Sequence, residues 1–202
     1  MANSAEHRKR QIVTEFRCSE ILNAATKIFG NKGFEATRMD DIANAAGIAK
    51  GTLYLYFRSK DSIYQATVEQ AVVELSALTE EHVAAVDDFA GKLTAFIAVR
   101  MSFWKEKQAL YQVILSLNRE HCNRRRSLKW QQKAVDYLVR LLTVAVDRKE
   151  IPQQDVEAAA WSVMDLIRGA NERRPFLDLR SAEEEAQFLA AFALRALGAT
   201  RR

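Results

Sequence analysis

Residues 37–57 limit what this chain can fold into more than any other stretch, because Gly47 separates two short amphipathic segments that must each bury one face. Thr37 reads as an N-cap, and Asp40 three positions on is placed to reach back in a capping box while complementing the positive helix end. A helix is therefore expected from about Arg38. Met39, Ile42, Ala43 and Ala46 recur at three- and four-residue spacing, giving one narrow apolar face that a neighbouring helix can approach closely over the alanines. Gly47 ends that helix, since it takes a left-handed backbone without steric cost. A second short helix is expected from about Lys50 to Tyr56, with Leu53 and Phe57 inward and Lys50, Thr52, Tyr54 and Tyr56 on other faces. Cation, hydroxyl and amphipathic ring are the groups that meet phosphates and base edges, and a helix of this width fits the DNA major groove. The pattern predicts a helix-turn-helix; an ordinary helical hairpin facing solvent is the other reading of the spacing alone.

Only 2 Pro and 7 Gly interrupt 202 residues, several long windows carry helical period, and none sustains alternation, so an all-α fold is expected. With 49% hydrophobic and 28% charged residues the chain has enough apolar material for a packed core. The net charge of +4 is unevenly placed: residues 1–60 hold 10 Lys+Arg against 6 Asp+Glu, whereas 61–202 hold 20 of each. That is the distribution of a polyanion-binding module attached to a neutral body.

No apolar run approaches the ~20 residues needed to cross a bilayer, and the basic N-terminus has no apolar region of signal-peptide type. A cytoplasmic location and no membrane partner are expected. Cys18 and Cys122 stand far apart without metal or redox spacing; they read as ordinary thiols, with a thiol sensor as the alternative. His7, His82 and His121 are scattered and make no metal set, so neither a metal nor a cofactor is expected. Paired carboxylates at useful spacing, a Gly-rich phosphate loop and a nucleophile motif are all missing, so no catalytic residues are assigned and an enzyme is not expected.

Ahead of the motif, residues 1–13 are polar and basic and are expected as a mobile tail, with Arg8-Lys9-Arg10 either solvated or reaching DNA as an arm. A helix over 13–31 should turn Phe16, Ile21, Ala24, Ala25, Ile28 and Phe29 toward the motif, with Phe34 plugging the small core. Ser59 caps the next helix.

From Ile21 to about Val68 the chain resembles the DNA-binding domain of the TetR family of transcriptional regulators. The resemblance is carried by Ile21, Ala24, Ala25, Phe29, Lys32-Gly33-Phe34, Thr37, Ile42-Ala43, Ala46-Gly47-Ile48, Lys50-Gly51-Thr52-Leu53-Tyr54-Leu55-Tyr56-Phe57 and Ser59-Lys60-Asp61. These run without a gap over roughly a quarter of the chain. Ala49 departs from the pattern, which usually has Ser capping the recognition helix; the cap is worth about 1 kcal/mol, so a slightly frayed helix start is expected.

The resemblance implies a three-helix DNA-binding domain over 1–60 and a larger helical effector-binding and dimerisation domain over 61–202. It also implies that the helix after Ser59 links the two and transmits ligand state to the DNA-binding heads. It assigns Lys60 a phosphate contact, which suits a helix N-terminus, and Thr37, at another helix start, can serve likewise. Lys50, Gly51, Thr52 and Tyr54 are expected near bases or flanking phosphates, Tyr56 on phosphate, and Arg38 on a base or the backbone. Gly51 has no side chain to hold the helix off the groove wall.

Further helical windows are expected over 87–105, 107–117, 124–149, 155–171 and 182–197. The last two carry Val156, Ala160, Val163 and Met164, then Phe188 and Phe192, a mixture of small and large apolar residues that suits packing against a second copy. The resemblance implies a two-fold dimer through a four-helix bundle, which reads a palindrome. Arg100, Trp104, Tyr111, His121, Trp130, Tyr137, Trp161 and Arg168 are candidates to line an apolar effector cavity, the other reading of the aromatics being core. Arg124-Arg125-Arg126 is either a solvated helix start or an anion site.

Together these readings predict a repressor that binds a palindromic double-stranded operator as a homodimer and is released by a small apolar or amphipathic effector. The alternative is a regulator of the same fold without a small-molecule switch, acting as an activator, architecturally or through a protein partner.

Overall fold

A computed structural model describes residues 2–117, 121–177 and 180–199, with the backbone alone at 2–5, 121–124 and 126. Nine α-helices and no strand occur among the described residues: α1 (Ala2–Lys32), α2 (Met39–Ala45), α3 (Lys50–Tyr56), α4 (Lys60–Ala84), α5 (Phe89–Glu106), α6 (Gln108–Leu117), α7 (His121–Asp147), α8 (Val156–Arg173) and α9 (Ala182–Ala196). The fold is all-α, as expected. None of these helices is long and apolar enough to cross a membrane. The helices group into two units, Met1–Ala71 with Ala109–Leu117, and Val72–Gln108 with Asn118–Arg202.

In the first unit, α1 begins at Ala2 rather than near residue 13, so the stretch expected as a mobile tail is helical. Neither Gly nor Pro occurs before Gly30, and charge pairs one turn apart, Arg10–Glu6 at 3.2 Å and Arg17–Glu20 at 2.7 Å, support the extension. Phe16 lies on this extension 62% exposed and does not join the core as expected. From Ile21 onward the expected face closes: Ile21, Ala24, Ala25 and Phe29 are buried with Ile42, Ala43, Leu53, Ile63 and Val68. Phe34 fills the centre beside Phe29 and Tyr64, ring centroids 5.3 and 5.4 Å away. A three-helix core of this size is marginal alone. It is enlarged by α6, which packs so closely on α1 that a Cβ at Gly30 would run into the Cβ of Ala109.

Thr37 is not the cap of α2. It is buried, and its hydroxyl donates to the Gly33 carbonyl at 2.6 Å, because Gly33 (φ 77°) turns the chain back on itself after α1. Arg38 takes the N-cap position with an extended backbone, and Asp41 rather than Asp40 reaches back to accept its N–H at 2.9 Å. The other end follows expectation. Gly47 adopts φ 66°, while its N–H donates to Asn44 at 3.1 Å and that of Ile48 to Ala43 at 3.0 Å, closing the last carbonyls of α2. Ala49 starts α3 with no side-chain acceptor, and Ser59 caps α4 by accepting the Ser62 N–H at 3.1 Å.

The second unit is built on α5, α7, α8 and α9, each helix starting within three residues of its expected position. Its core runs from Leu93, Phe96, Ile97 and Met101 through Val135, Leu138 and Leu142 to Val163, Ile167, Leu189 and Ala193. Asp155 caps α8 by accepting two N–H groups at 3.0 and 3.1 Å, and Ser181 with Glu184 forms a reciprocal box at α9.

Candidate nucleic-acid interface

Successive residues of a helix turn by about 100°, so burying Leu53 decides where every other side chain of α3 points. Leu53 is fully buried. Gly51 and Leu55 consequently stand at the outward apex, Leu55 84% exposed, with Tyr54 on one flank and Thr52 on the other. Lys50 is exposed at the first turn, while Tyr56 and Phe57 are half-buried. The sequence pattern had placed Lys50, Gly51, Thr52, Tyr54 and Tyr56 here. It had not singled out Leu55, although a residue two positions from an inward leucine must lie on the opposite side of the helix.

Two ion pairs lie at α2 and the start of α3. Lys50 Nζ lies 2.8 Å from Asp40, whose hydrogen bond raises the lysine above its usual pKa. Lys32 Nζ lies 2.7 Å from Asp41, and this bond, with that from the Arg38 N–H, holds the Asp41 carboxyl below the usual aspartate range. The Arg38 side chain is exposed. Asp40 thus pairs with the lysine expected to meet phosphate, a role that its place in a capping pattern concealed.

Two expected phosphate contacts sit differently. Thr37 is buried, with its hydroxyl committed to Gly33. Lys60 is half-buried and donates to the carbonyls of Phe34 at 2.7 Å and Glu35 at 3.1 Å, with its ammonium 4.4 Å from the Phe34 ring centroid. It ties the start of α4 to the turn after α1, where the Phe34 carbonyl also accepts the Thr37 N–H at 3.2 Å.

The eight expected effector residues divide. A groove of about 390 Å³ opens between α4, α5 and α7 in the second unit, and of the seven whose side chains are described only Tyr137 lines it. Arg100 does not line it but is buried, bonded to Thr79 Oγ1 at 2.9 Å. Tyr111 is buried in the first unit. Trp104, Trp130 and Trp161 are half-buried, and Arg168 is exposed and paired with Asp165 at 3.0 Å. His121 falls outside the described side chains, as do Cys122 and two of the three arginines at 124–126. Cys18 is half-buried, and burial pushes its thiol pKa up, away from a reactive thiolate.

Among the expected interface residues, Ala160 and Val163 are buried inside the chain and are therefore unavailable to a second copy. The apolar face of α8 that the spacing revealed is the one its own core consumes. Val156 and Met164 are half-buried, whereas Phe188 and Phe192 on α9 are 45% and 44% exposed and stack on each other with centroids 6.4 Å apart.

The family model for bacterial regulatory proteins of the tetR family matches residues 21–67, from the buried half of α1 into α4. The HTH-type transcriptional regulator YfiR of Bacillus subtilis is 27% identical over 175 residues, covering 83% of this chain and 84% of its own. The HTH-type transcriptional activator FasR of Mycolicibacterium smegmatis is 29% identical over 125 residues, 56% and 57% of the two chains. IcaR of Staphylococcus aureus, the negative transcriptional regulator of the biofilm operon icaADBC, is 42% identical over 50 residues, 25% of this chain and 27% of its own. The crystal structure of PfmR, a TetR family transcriptional regulator from Thermus thermophilus, matches with a TM-score of 0.72 at 27% identity, covering 90% of this chain and 99% of PfmR. These relatives are regulators rather than enzymes, and the match extends well beyond the helix-turn-helix. With its Gly47 turn and exposed α3 face, the segment 21–67 is a helix-turn-helix of the tetR family type, and over most of its length the chain is similar to TetR family transcriptional regulators.

Proposed function

We propose that the protein is a homodimeric repressor that seats two α3 helices on a palindromic operator in the cytoplasm and is released by a small apolar or amphipathic effector. The observation that carries this reading is the outward face of α3, where Gly51 and Leu55 stand at the apex between Thr52 and Tyr54. Gly51 allows close approach to base edges, Leu55 suits a thymine methyl, and Lys50, Tyr54 and Tyr56 suit flanking phosphates. Arg38 stands beside them at the start of α2, and Lys60 supports the same surface by fixing the turn after α1. The DNA-binding role is assigned to residues 1–60 and effector and dimer roles to 61–202. The exposed, stacked Phe188 and Phe192 on α9, with the half-buried Val156 and Met164 on α8, support a two-fold interface. Repression is favoured by the name of IcaR, and a bound dimer acts by occupying its site.

Gel shifts with DNA from upstream of the protein's own gene, with and without a panel of lipophilic compounds, test the reading. Saturable binding released by one compound is expected. Binding that no compound alters would leave the switchless alternative, and the name of FasR gives activation as the second reading; transcription from that DNA in vitro, lowered or raised by the protein, separates the two signs.

A further inference from the structure

Arg100 is the one charged side chain buried among the described residues, 4% exposed in the second unit. Its Nη1 donates to Thr79 Oγ1 at 2.9 Å and, at 3.5 Å, to the Phe96 carbonyl, and its guanidinium stands 3.5 Å from the Phe96 ring centroid. No carboxylate among the described residues pairs with it. Burial pulls its pKa down to about 9, with Tyr137 partly offsetting the effect. A guanidinium carries five donors, and buried charges are normally paired. The charge of Arg100 is met within the chain by a hydroxyl, a carbonyl and a ring rather than by a carboxylate.

Arg100 does not line the groove between α4, α5 and α7; the link to it is Tyr137, a groove residue whose ring stacks on Phe96, the ring over which the Arg100 guanidinium stands. On α5, Lys92, Phe96 and Arg100 follow one another at four-residue spacing and so share a face, with Lys92 on the groove wall and Arg100 two turns further along. On α4, Val83 lines the groove one turn beyond Thr79, the residue that Arg100 holds. From α7, Tyr137 lines it with its ring stacked 5.8 Å from Phe96, and Arg140 stands 5.7 Å from the Tyr137 centroid. Lys92 and Arg140 form no ion pair among the described residues, and the one wall carboxylate, Glu80, is outnumbered. Val83, Leu141 and Val144 make the rest of the wall apolar. The volume of about 390 Å³ is that of a small-molecule site.

We propose that this groove binds a small amphipathic anion, an apolar chain ending in a carboxylate. Its charge is met beside Tyr137 by the wall cations Arg140 and Lys92, with the buried Arg100 adding its field from behind the Tyr137 and Phe96 rings, and its chain lies along Val83, Leu141 and Val144. The inference rests on the effector-controlled reading above and names the class of effector.

Calorimetric titration of the full chain with decanoate and with 1-decanol, its uncharged counterpart, is the test. Decanoate should bind at least about tenfold more tightly, the equivalent of one charge-assisted hydrogen bond. Arg140→Gln should reduce that preference several-fold, and Arg100→Met should reduce it as well in a protein whose helicity is unchanged. Should Arg100→Met fail to fold, the doubly substituted Lys92→Gln, Arg140→Gln chain, altered only on the groove wall, carries the same comparison. Equal affinity for the two compounds, or a preference that survives in both Arg140→Gln and the double variant, would overturn the proposal. DNA release is read separately. Decanoate that binds without releasing DNA keeps the groove and removes the release mechanism, while release by some other compound with no decanoate binding does the reverse.

Discussion

The ion pair between Lys50 and Asp40 gives two substitutions that should act on DNA binding in opposite directions. Nζ and Oδ1 are 2.8 Å apart, and the two side chains are 56% and 50% exposed, so water screens the pair and the lysine can leave it readily. On the proposed reading, Lys50 exchanges Asp40 for a phosphate when an operator is bound. Each phosphate neutralised adds about 0.9 to the slope of log K against log salt, and a two-fold dimer carries two copies of the contact. Lys50→Met should therefore flatten the slope by about 1.8. Between roughly 50 and 200 mM salt the wild-type protein should then lose about twelvefold more affinity than the variant. Asp40→Asn removes a carboxylate that both competes for Lys50 and faces the same phosphates, so it should bind more tightly and with a steeper slope. Fluorescence anisotropy on a fixed operator duplex across that salt range, with helicity checked by circular dichroism, measures all three proteins. Parallel slopes, or weaker binding by Asp40→Asn, would refute the placement of this pair at the DNA surface.

Gly47→Ala should cost about 1–2 kcal/mol in urea unfolding, purely as backbone strain, because φ is 66° and a Cβ there meets nothing within 4 Å; unchanged stability would contradict the turn. Phe192→Glu should yield a folded monomer in sedimentation, whereas Val163→Asp, placing a charge in the core of its own chain, should unfold the second unit; an intact dimer in the first case would move the interface elsewhere. Asp41 is held below the usual aspartate pKa by Lys32 and the Arg38 N–H, so its contribution is present above about pH 3.9 and fades as pH falls through the lower folded value. The stability advantage of wild type over Asp41→Asn should therefore shrink on acidification, and an advantage independent of pH would remove the carboxylate from the start of α2.

Local signals carried most of the fold. Gly47 and Ser59 act within one turn of chain, so their roles follow from neighbours in sequence, and the helical windows of the second unit were readable from the same short-range periodicity. What escaped depends on partners far along the chain. Lys60 looked free at a helix start, yet it spends its donors on carbonyls 25 and 26 residues earlier. Ala160 and Val163 lie on an apolar stripe, but a stripe does not say whether the chain's own core or a second copy will cover it. The long exposed first half of α1 is held by charge pairs at helical spacing, which a basic, polar composition hid. Arg100 was read among several polar groups near aromatics; only burial against Thr79 and Phe96 sets it apart.

Selection of binding sites by the full-length protein from a random DNA library tests the central claim, that α3 reads DNA from a two-fold dimer, most directly. The account predicts an enriched palindrome with half-site centres one helical turn apart, about 34–36 Å, and an altered or lost half-site sequence when Leu55→Ala or Thr52→Ala is selected in parallel. Enrichment of an asymmetric sequence, or of the same half-site in wild type and both variants, would contradict it.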